Sequence, residues 1–426
     1  MIMRMSGQRT STIVISTILG PLVVVATINV FLANNTGCET FLMDGYMVGK
    51  GDSMADTIDS PSNSEPQKTM EPSPYIPAPA EKYILEHMLE WGWDSHNNPE
   101  GCMIWNNSSH PLYQDLQDFL RDLDDYQGRI RNFPGIKSDI RDLKRMRTNV
   151  NGADTAGERN WKEKPVNQSI EANLENPCDQ MLLGSPAGVK GIFAQSGQLS
   201  RSSSGYVEPL TTPMRHPRFC SDKRYLMDMN YMVHDFQAMC EMIQSHSKTV
   251  LIDMGASSSF HDYHKDPSVR VTENPVVYLL RLYDKFGIKF DHIYAFEATF
   301  TSPDKVYENL LPQEYLPSYH WINTGVQSEP KAKLNPLHSI LRRFNEEDFV
   351  VVKLDIDTAR LELPLARQLL SDPSLAKLVD QFYFEHHVNM KEMIDDWGSA
   401  MNGTLQDTFE LFYGLREKGV PAHFWV

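Results

Sequence analysis

Acidic residues end two short apolar runs in the C-terminal half of the chain, where they could bind a small ligand. The run Thr249–Asp253 ends in an aspartate that is followed by Gly255, and the run His292–Glu297 ends in a glutamate. A glycine after an acidic strand end lets backbone amides approach a ligand closely. An acid one βα unit later is suitably placed to accept hydrogen bonds from ribose hydroxyls. The pair therefore predicts a site for a ligand that carries a ribose.

Two aspartates, Asp355 and Asp357, end a third apolar run, Phe349–Asp355. Carboxylates spaced in this way can hold a divalent cation through oxygen ligands, as the D-x-D signature of many nucleotide-sugar glycosyltransferases does. One of them could equally cap the helix that is predicted to begin near Arg360. The residues alone leave a helix cap, a ligand-binding role and a cation site all open.

Two adjacent histidines, His386 and His387, lie near the end of a further apolar run, Gln381–Val388. Alternation along a strand places them on opposite faces, so both reach one ligand only if the strand has already ended. A neutral imidazole is suited to taking a proton from a hydroxyl group near neutral pH. We predict that His386 is the candidate base, and a buried structural histidine is the alternative.

The elements that must position these residues alternate between strand and helix. Six short apolar runs are predicted as strands, at 249–253, 292–297, 320–323, 349–355, 381–388 and 422–426. Helices are predicted near Tyr225–His246, Pro275–Phe286, Pro303–Leu310, Pro336–Phe344, Arg360–Leu378 and Leu405–Lys418. This alternation predicts that residues 225–426 form a doubly wound α/β domain, with a mostly parallel, Rossmann-like sheet and helices on both faces.

The same residues resemble S-adenosylmethionine-dependent methyltransferases of the FkbM-like group. The resemblance is carried over residues 248–388 by Ile252-Asp-Met-Gly-Ala, Tyr294-Ala-Phe-Glu, Val351-Val-Lys-Leu-Asp-Ile-Asp, Glu362 and Tyr383-Phe-Glu-His-His-Val. Two features depart from the family: serines, Ser257 among them, replace later glycines of the turn, and the strand count is one short of the usual seven.

The resemblance implies a role for each matched residue. Asp253, Gly255 and Ser257 would border the methionine part of S-adenosylmethionine, Glu297 would hold the ribose, and Asn323 would lie near the adenine. Asp355 or Asp357 would face the acceptor or the methyl group. The expected reaction is methyl transfer to an oxygen of a glycan or small metabolite. The alternatives are a metal-dependent glycosyltransferase that uses Asp355 and Asp357, and a non-catalytic domain that binds a ligand or partner.

The N-terminal segment Ile13–Leu32 carries no charge and is rich in Ile, Val and Leu. Roughly 20 apolar residues span a hydrocarbon core about 30 Å thick, so residues 11–33 are predicted to be a transmembrane signal-anchor helix. The apolar part of a cleaved signal peptide is shorter. Arg4 and Arg9 keep residues 1–10 cytosolic. The chain is therefore expected to be a single-pass type II protein of the Golgi or endoplasmic reticulum, with its head domain in the lumen.

Composition agrees with a lumenal domain. Residues 34–80 are rich in Ser, Pro, Asp and Glu and are predicted to form a disordered stem, followed by a helical and irregular region over 81–224. The net charge of −16 argues against nucleic acid as a partner. Glycosylation triplets begin at Asn34, Asn106, Asn107, Asn167 and Asn402.

The cysteines predict disulfides and argue against a zinc site. The chain has five, Cys38, Cys102, Cys178, Cys220 and Cys240, and none forms a C-x-x-C pair. In an oxidising lumen one or two disulfides are expected among the last four, with the pairing undetermined. Cys38 is the odd one and could link two chains into a dimer.

Overall fold

Six parallel strands form the central sheet of the C-terminal part of the chain. A computed structural model describes residues 75–153, 176–184, 194–196, 205–211, 214–256 and 274–426, together with strands at 10–19 and 22–31. The strands of the sheet are β1 (Thr249–Met254), β2 (His292–Phe296), β3 (Tyr319–Ile322), β4 (Phe349–Leu354), β5 (Gln381–Phe384) and β6 (Ala422–Phe424). Their order is β6-β5-β4-β1-β2-β3, and every neighbouring pair is parallel. The predicted α/β fold with a parallel sheet is confirmed.

The strand order reverses between β1 and β4. Every residue of these two strands is buried, and Thr249 lies opposite Phe349 while Met254 lies opposite Leu354. A strand covered on both faces must be apolar along its whole length, which explains why β4 consists of Phe, Val and Leu apart from Lys353. A crevice at the carboxyl ends of the strands is expected where the order reverses.

Helices connect the strands and also occur in the described part of the region before the sheet. Those of seven residues or more are α1 (Pro79–His87), α2 (Tyr113–Asn132), α3 (Ile140–Ala153), α4 (Phe236–Met242), α5 (Pro275–Lys285), α6 (Ala359–Ser371) and α7 (Leu405–Glu417). Shorter helices are Met103–Asn106, Pro336–Ser339, Pro373–Ala376, Ile394–Trp397 and a π-helix at Lys305–Leu310. Short 3₁₀ helices are Asp179–Gly184, Pro217–Cys220, Lys223–Tyr225, Gln313–Ser318, Leu341–Arg343, Lys391–Met393 and Gly398–Ala400.

The helix predicted over Tyr225–His246 is much shorter in the structure, because side chains from elsewhere bind the backbone before it. The backbone N–H of Val233 donates to Glu208 at 2.8 Å, and the N–H of His234 donates to the Tyr126 hydroxyl at 2.9 Å. These two backbone N–H groups therefore bind side chains from elsewhere in the chain instead of forming helical hydrogen bonds. The helix begins only after Asp235, whose side chain accepts from the N–H of Ala238 and caps it.

Two disulfides link distant residues of the region before the sheet, and one of them includes a cysteine of α4. Cys102 is bonded to Cys220, and Cys178 is bonded to Cys240. The expectation of one or two bridges among the last four cysteines is confirmed, and the structure supplies the pairing. Cys38 lies outside the described residues, so the disulfide-linked dimer stays a prediction.

The predicted boundary of the stem at residue 80 lies inside folded structure. Tyr75 is buried and α1 begins at Pro79, whereas residues 34–74 of the predicted stem lie outside the described residues. The Tyr75 hydroxyl donates to Glu81 at 2.7 Å and accepts from Arg416 of α7 at 3.0 Å. Residues 68–426 form one compact unit, so the predicted regions 81–224 and 225–426 pack together.

The N-terminal unit, 1–67, contains strands where a transmembrane helix was predicted over residues 11–33. Thr10–Leu19 pairs antiparallel with Leu22–Phe31 on either side of Gly20-Pro21. Many of these residues are β-branched and favour strands, and proline cannot donate a helical hydrogen bond. Among the described residues, no helix has the length and hydropathy needed to cross a membrane. Membrane anchoring and a lumenal location stay predictions.

The close approach of β1 and β4 generates a prediction about glycine. Gly255 has φ +94°, and a Cβ placed on it would lie 1.5 Å from the carbonyl oxygen of Asp355. We expect Gly255→Ala to lower the free energy of unfolding by more than about 3 kcal/mol, through backbone strain and overpacking. Gly128 in α2 has open space around it, so Gly128→Ala should raise stability by about 0.5–1 kcal/mol. Chemical denaturation measures both, and equal effects would contradict the packing described.

Candidate functional site

A cavity of about 410 Å³ lies at the carboxyl ends of β1 to β4, where the strand order reverses. The residues that line it lie at the ends of these four strands or just after them: Gly255 after β1, Phe296 at the end of β2 with 297–299 after it, 324–326 after β3, and 355–358 with Leu361 after β4. Doubly wound sheets bind their ligands at this position. The volume is in the range of sites for small molecules.

The described part of the cavity wall carries acidic side chains and no basic ones. Glu297, Asp355 and Asp357 line it, and no Lys, Arg or His is among the described lining residues. An excess of carboxylates favours a ligand that carries positive charge and repels an anionic one.

A buried lysine lies beneath the cavity and binds the ends of β1 and β4 together. The Lys353 ammonium is 3.2 Å from Asp253 Oδ1 and 3.1 Å from Asp355 Oδ2, and it donates to the carbonyl oxygen of Gly255 at 2.7 Å. Asp355 Oδ2 also accepts from the Trp425 indole N–H at 3.2 Å. The Asp253 carboxylate is therefore buried against Lys353 and does not line the cavity.

Burial and mutual attraction shift the pKa values in this buried group. Burial would by itself lower the pKa of Lys353, but attraction to Asp253 and Asp355 raises it above its usual value, so the ammonium stays charged. Burial raises the pKa of Asp253. Burial also raises the pKa of Asp355 strongly, and repulsion from Glu385 adds to this effect. One cation shared by two carboxylates leaves excess negative charge under the cavity.

Asp357 is not part of the Lys353 ion pairs and lies beside a histidine. Its backbone is in the left-handed region with φ +53°, which costs free energy for a residue other than glycine. Its half-exposed carboxylate is 3.7 Å from Nε2 of His387. Burial and repulsion from Glu385 raise its pKa. Helix α6 has Thr358 at its N-cap and no side-chain capping bond, so neither aspartate acts as a cap there.

His387 belongs to a second ion pair on the far side of Asp357. Its Nε2 lies 3.2 Å from Glu385 Oε2, while Glu385 Oε1 accepts from Arg215 and from the Trp397 indole N–H. Burial opposes protonation of His387, but attraction to Glu385 raises its pKa to about 9. His387 is therefore protonated at neutral pH in the absence of another cation.

Asp357, Glu385 and His387 together could hold a divalent cation. One ligand atom from each lies within 4.8 Å of the others. A carboxylate and imidazole set of this kind suits a transition metal ion, which would displace the proton from His387. Asp355 is outside this group because its carboxylate binds Lys353 and Trp425. A cation held by Asp357 would thus use Glu385 and His387 instead of the D-x-D spacing.

Glu297 and Asn323 shape the loop that follows β2. One oxygen of Glu297 accepts from the backbone N–H of Thr299, which leaves the other for a ligand at the cavity wall. The Asn323 side chain donates to the carbonyl oxygens of Glu297 and Thr299, both at 2.8 Å, and accepts from Thr301 N–H at 3.1 Å. Asn323 therefore positions the loop and does not line the cavity.

The structure brings four of the predicted site residues to the cavity: Gly255, Glu297, Asp355 and Asp357. The amide of Gly255 donates to the carbonyl oxygen of Phe296 at 2.9 Å, so it is not free for a ligand. His386 lines a different cavity, and Ser257 lies outside the described residues. The sequence prediction missed the roles of Lys353 and His387; a lysine inside an otherwise apolar strand was the signal for the first.

The Lys353 ion pairs generate a prediction about stability. Lys353→Met leaves two buried carboxylates without their cation, so we expect the free energy of unfolding to fall by about 3–5 kcal/mol. Lys377, paired with Glu346 on the surface, is the matched control. Lys377→Met should change stability by less than about 1 kcal/mol. Denaturant unfolding of both variants measures the difference, and a mild effect at Lys353 would contradict the buried network.

The His387–Glu385 ion pair generates a prediction about pH. The pKa of His387 rises from 6.5 to about 9 on folding, so its contribution to stability is fully present below pH 6.5. That contribution is lost as the pH rises through about 9. The stability difference between the wild type and His387→Gln should therefore shrink between these pH values in urea titrations. His246→Gln, at an exposed histidine, serves as the control, and a difference independent of pH would refute the ion pair.

Comparisons with known proteins leave the family of this chain a prediction. No protein-family model, curated protein or solved structure matches the chain. The side chains that line the cavity are therefore the basis for its proposed chemistry.

Proposed function

We propose that the chain transfers a methyl group from S-adenosylmethionine to an oxygen of a glycan or small metabolite. The observation that carries the proposal is the acidic cavity at the reversal of strand order, lined by Glu297, Asp355 and Asp357 without a described basic residue. S-adenosylmethionine carries positive charge on its sulfur and its ammonium group against one carboxylate, so its net charge is positive and such a wall attracts it. A pyrophosphate would be repelled there unless a metal cation accompanied it.

The residues of the cavity have suitable positions for this ligand. Glu297 has a carboxylate oxygen for the ribose hydroxyls, at the end of β2 where such acids act in doubly wound folds. Asp355 is held rigidly by Lys353 and Trp425 and would face the charged end of the ligand. The resemblance of Ile252–Ala256 and Tyr294–Glu297 to the methyltransferase motifs supports the same placement.

The acceptor oxygen attacks the methyl group of S-adenosylmethionine, the bond between this methyl group and sulfur breaks, and S-adenosylhomocysteine leaves. The protein therefore has mainly to align the two reactants. We assign the task of accepting the proton of the acceptor hydroxyl to Asp357. Its carboxylate lines the cavity, is half exposed, and has a raised pKa, which makes it a better base near neutral pH. Protonated His387 holds Asp357 in place, and His386 is not in this cavity.

Asp357, Glu385 and His387 favour one second candidate function, a metal-dependent glycosyltransferase. A divalent cation on these three side chains would neutralise the wall and hold the diphosphate of a nucleotide sugar. This function needs the metal, whereas methyl transfer does not, so the two are separable by ligand binding.

Calorimetric binding of S-adenosylhomocysteine and S-adenosylmethionine to the full chain tests the proposal. We expect saturable binding of both, weakened about tenfold or more by Glu297→Gln, because hydrogen bonds to a charged group are lost. Glu329→Gln, at an exposed glutamate away from the cavity, should bind as the wild type does. Asp357→Asn should weaken S-adenosylmethionine more than S-adenosylhomocysteine, which lacks the sulfonium charge.

Other outcomes would contradict the proposal in distinct ways. Binding of a UDP-sugar only with Mn²⁺, abolished by Asp357→Asn, would establish the glycosyltransferase instead. Binding of neither ligand would indicate a non-catalytic domain. Binding of S-adenosylhomocysteine that Glu297→Gln does not affect would place the ligand elsewhere on the chain.

A further inference from the structure

A second cavity, of about 290 Å³, lies beyond the end of β5 between α6 and α7. Its polar side chains are His96, Arg367, His386, Asn402 and Asp407, and two leucines complete the wall. None of these residues lines the first cavity. The two adjacent histidines belong to different sites. His387 contacts Asp357, which lines the first cavity, while His386 lines the second.

His386 places an unsatisfied polar atom at the second cavity. The residue is 4% exposed, its Nδ1 is 2.7 Å from the Thr408 hydroxyl, and its Nε2 has no hydrogen-bond partner among the described residues. A Cβ placed on Gly403, which also lines the cavity, would lie 3.6 Å from this Nε2. Buried polar nitrogens are nearly always paired, so we expect a ligand in the cavity to pair with this one.

The remaining polar groups of this cavity have mixed charge. Arg367 is exposed and makes no ion pair with a described residue. Asp407 offers one oxygen because the other accepts from Thr404 at the start of α7. A single cation opposite a single anion favours a ligand without net charge.

We propose that the second cavity binds one neutral sugar ring. A hydroxyl group both donates and accepts, so it can pair with Nε2 of His386 in either tautomer. Neighbouring hydroxyls can pair with the Arg367 guanidinium and the Asp407 carboxylate, and the leucines can pack against the C–H face of the ring. The volume suits one small ligand.

The ring can come from two sources with the same chemistry. One is a free sugar or the end of a separate glycan. The other is the first sugar of a glycan on Asn402, which is exposed, lines the cavity and begins the triplet Asn402-Gly403-Thr404. The proposal does not depend on methyl transfer, since the two cavities share no lining residue.

Saturation-transfer NMR with N-acetylglucosamine, galactose and mannose, applied to the full chain made without glycosylation, tests this proposal. We expect at least one sugar to give a saturable signal, and Arg367→Met to weaken its binding about tenfold or more. Arg360→Met, at an exposed arginine of the same helix outside the cavity, is the matched control and should bind as the wild type does. His386→Phe keeps the ring stacked on Phe384 and should also lose binding, with thermal unfolding to check its fold.

The source is decided with protein made in glycosylating cells. If that protein does not bind added sugar but its Asn402→Gln variant does, the glycan on Asn402 occupies the cavity. If both bind, the ligand is a separate sugar. No signal from any sugar in either preparation, equal effects of Arg367→Met and Arg360→Met, or binding of a free α-amino acid in place of sugars would overturn the proposal.

Discussion

The candidate site depends on one buried interaction, the ammonium of Lys353 between the carboxylates of Asp253 and Asp355. The lysine belongs to β4, so it joins the ends of the two strands between which the sheet order reverses. The approach is so close that only glycine fits at position 255. A desolvated charge is stable only when it is paired, so these groups hold one another in a single arrangement. The floor of the cavity is rigid before any ligand arrives.

The surroundings of this floor are supplied by distant parts of the chain. Trp425 of the C-terminal segment donates to Asp355, and Arg215, which precedes the sheet, binds both Glu385 and the carbonyl oxygen of Trp425. Arg416 of α7 is fully buried and donates to the carbonyl oxygens of Glu208 and Ala422. The region before the sheet therefore helps to hold the residues around the cavity in place, although its described residues do not line the cavity.

Charge distinguishes what the two cavities can bind. The first is lined by Glu297, Asp355 and Asp357, and burial raises the pKa of the two aspartates, so it favours a cationic ligand or a metal ion. The second balances Arg367 against Asp407 around His386 and favours an uncharged ligand. His386 lines the second cavity, whereas His387 lies 3.7 Å from Asp357, which lines the first. A pair of adjacent histidines therefore takes part in two unrelated environments.

The sequence by itself determined the six strands, the parallel α/β class and the acidic residues at the strand ends. These follow from short-range features: continuous apolar runs, their alternation with helical segments, and the glycine after Asp253. The tertiary structure alone decided the roles of the side chains. These roles depended on contacts between residues far apart in the chain. Asp253 pairs with Lys353 and does not face a ligand, Asn323 binds its own loop and not an adenine, and His387 contacts Asp357. The N-terminal apolar segment shows the same limit, because its hydropathy suits a helix while its β-branched residues and Gly20-Pro21 suit paired strands.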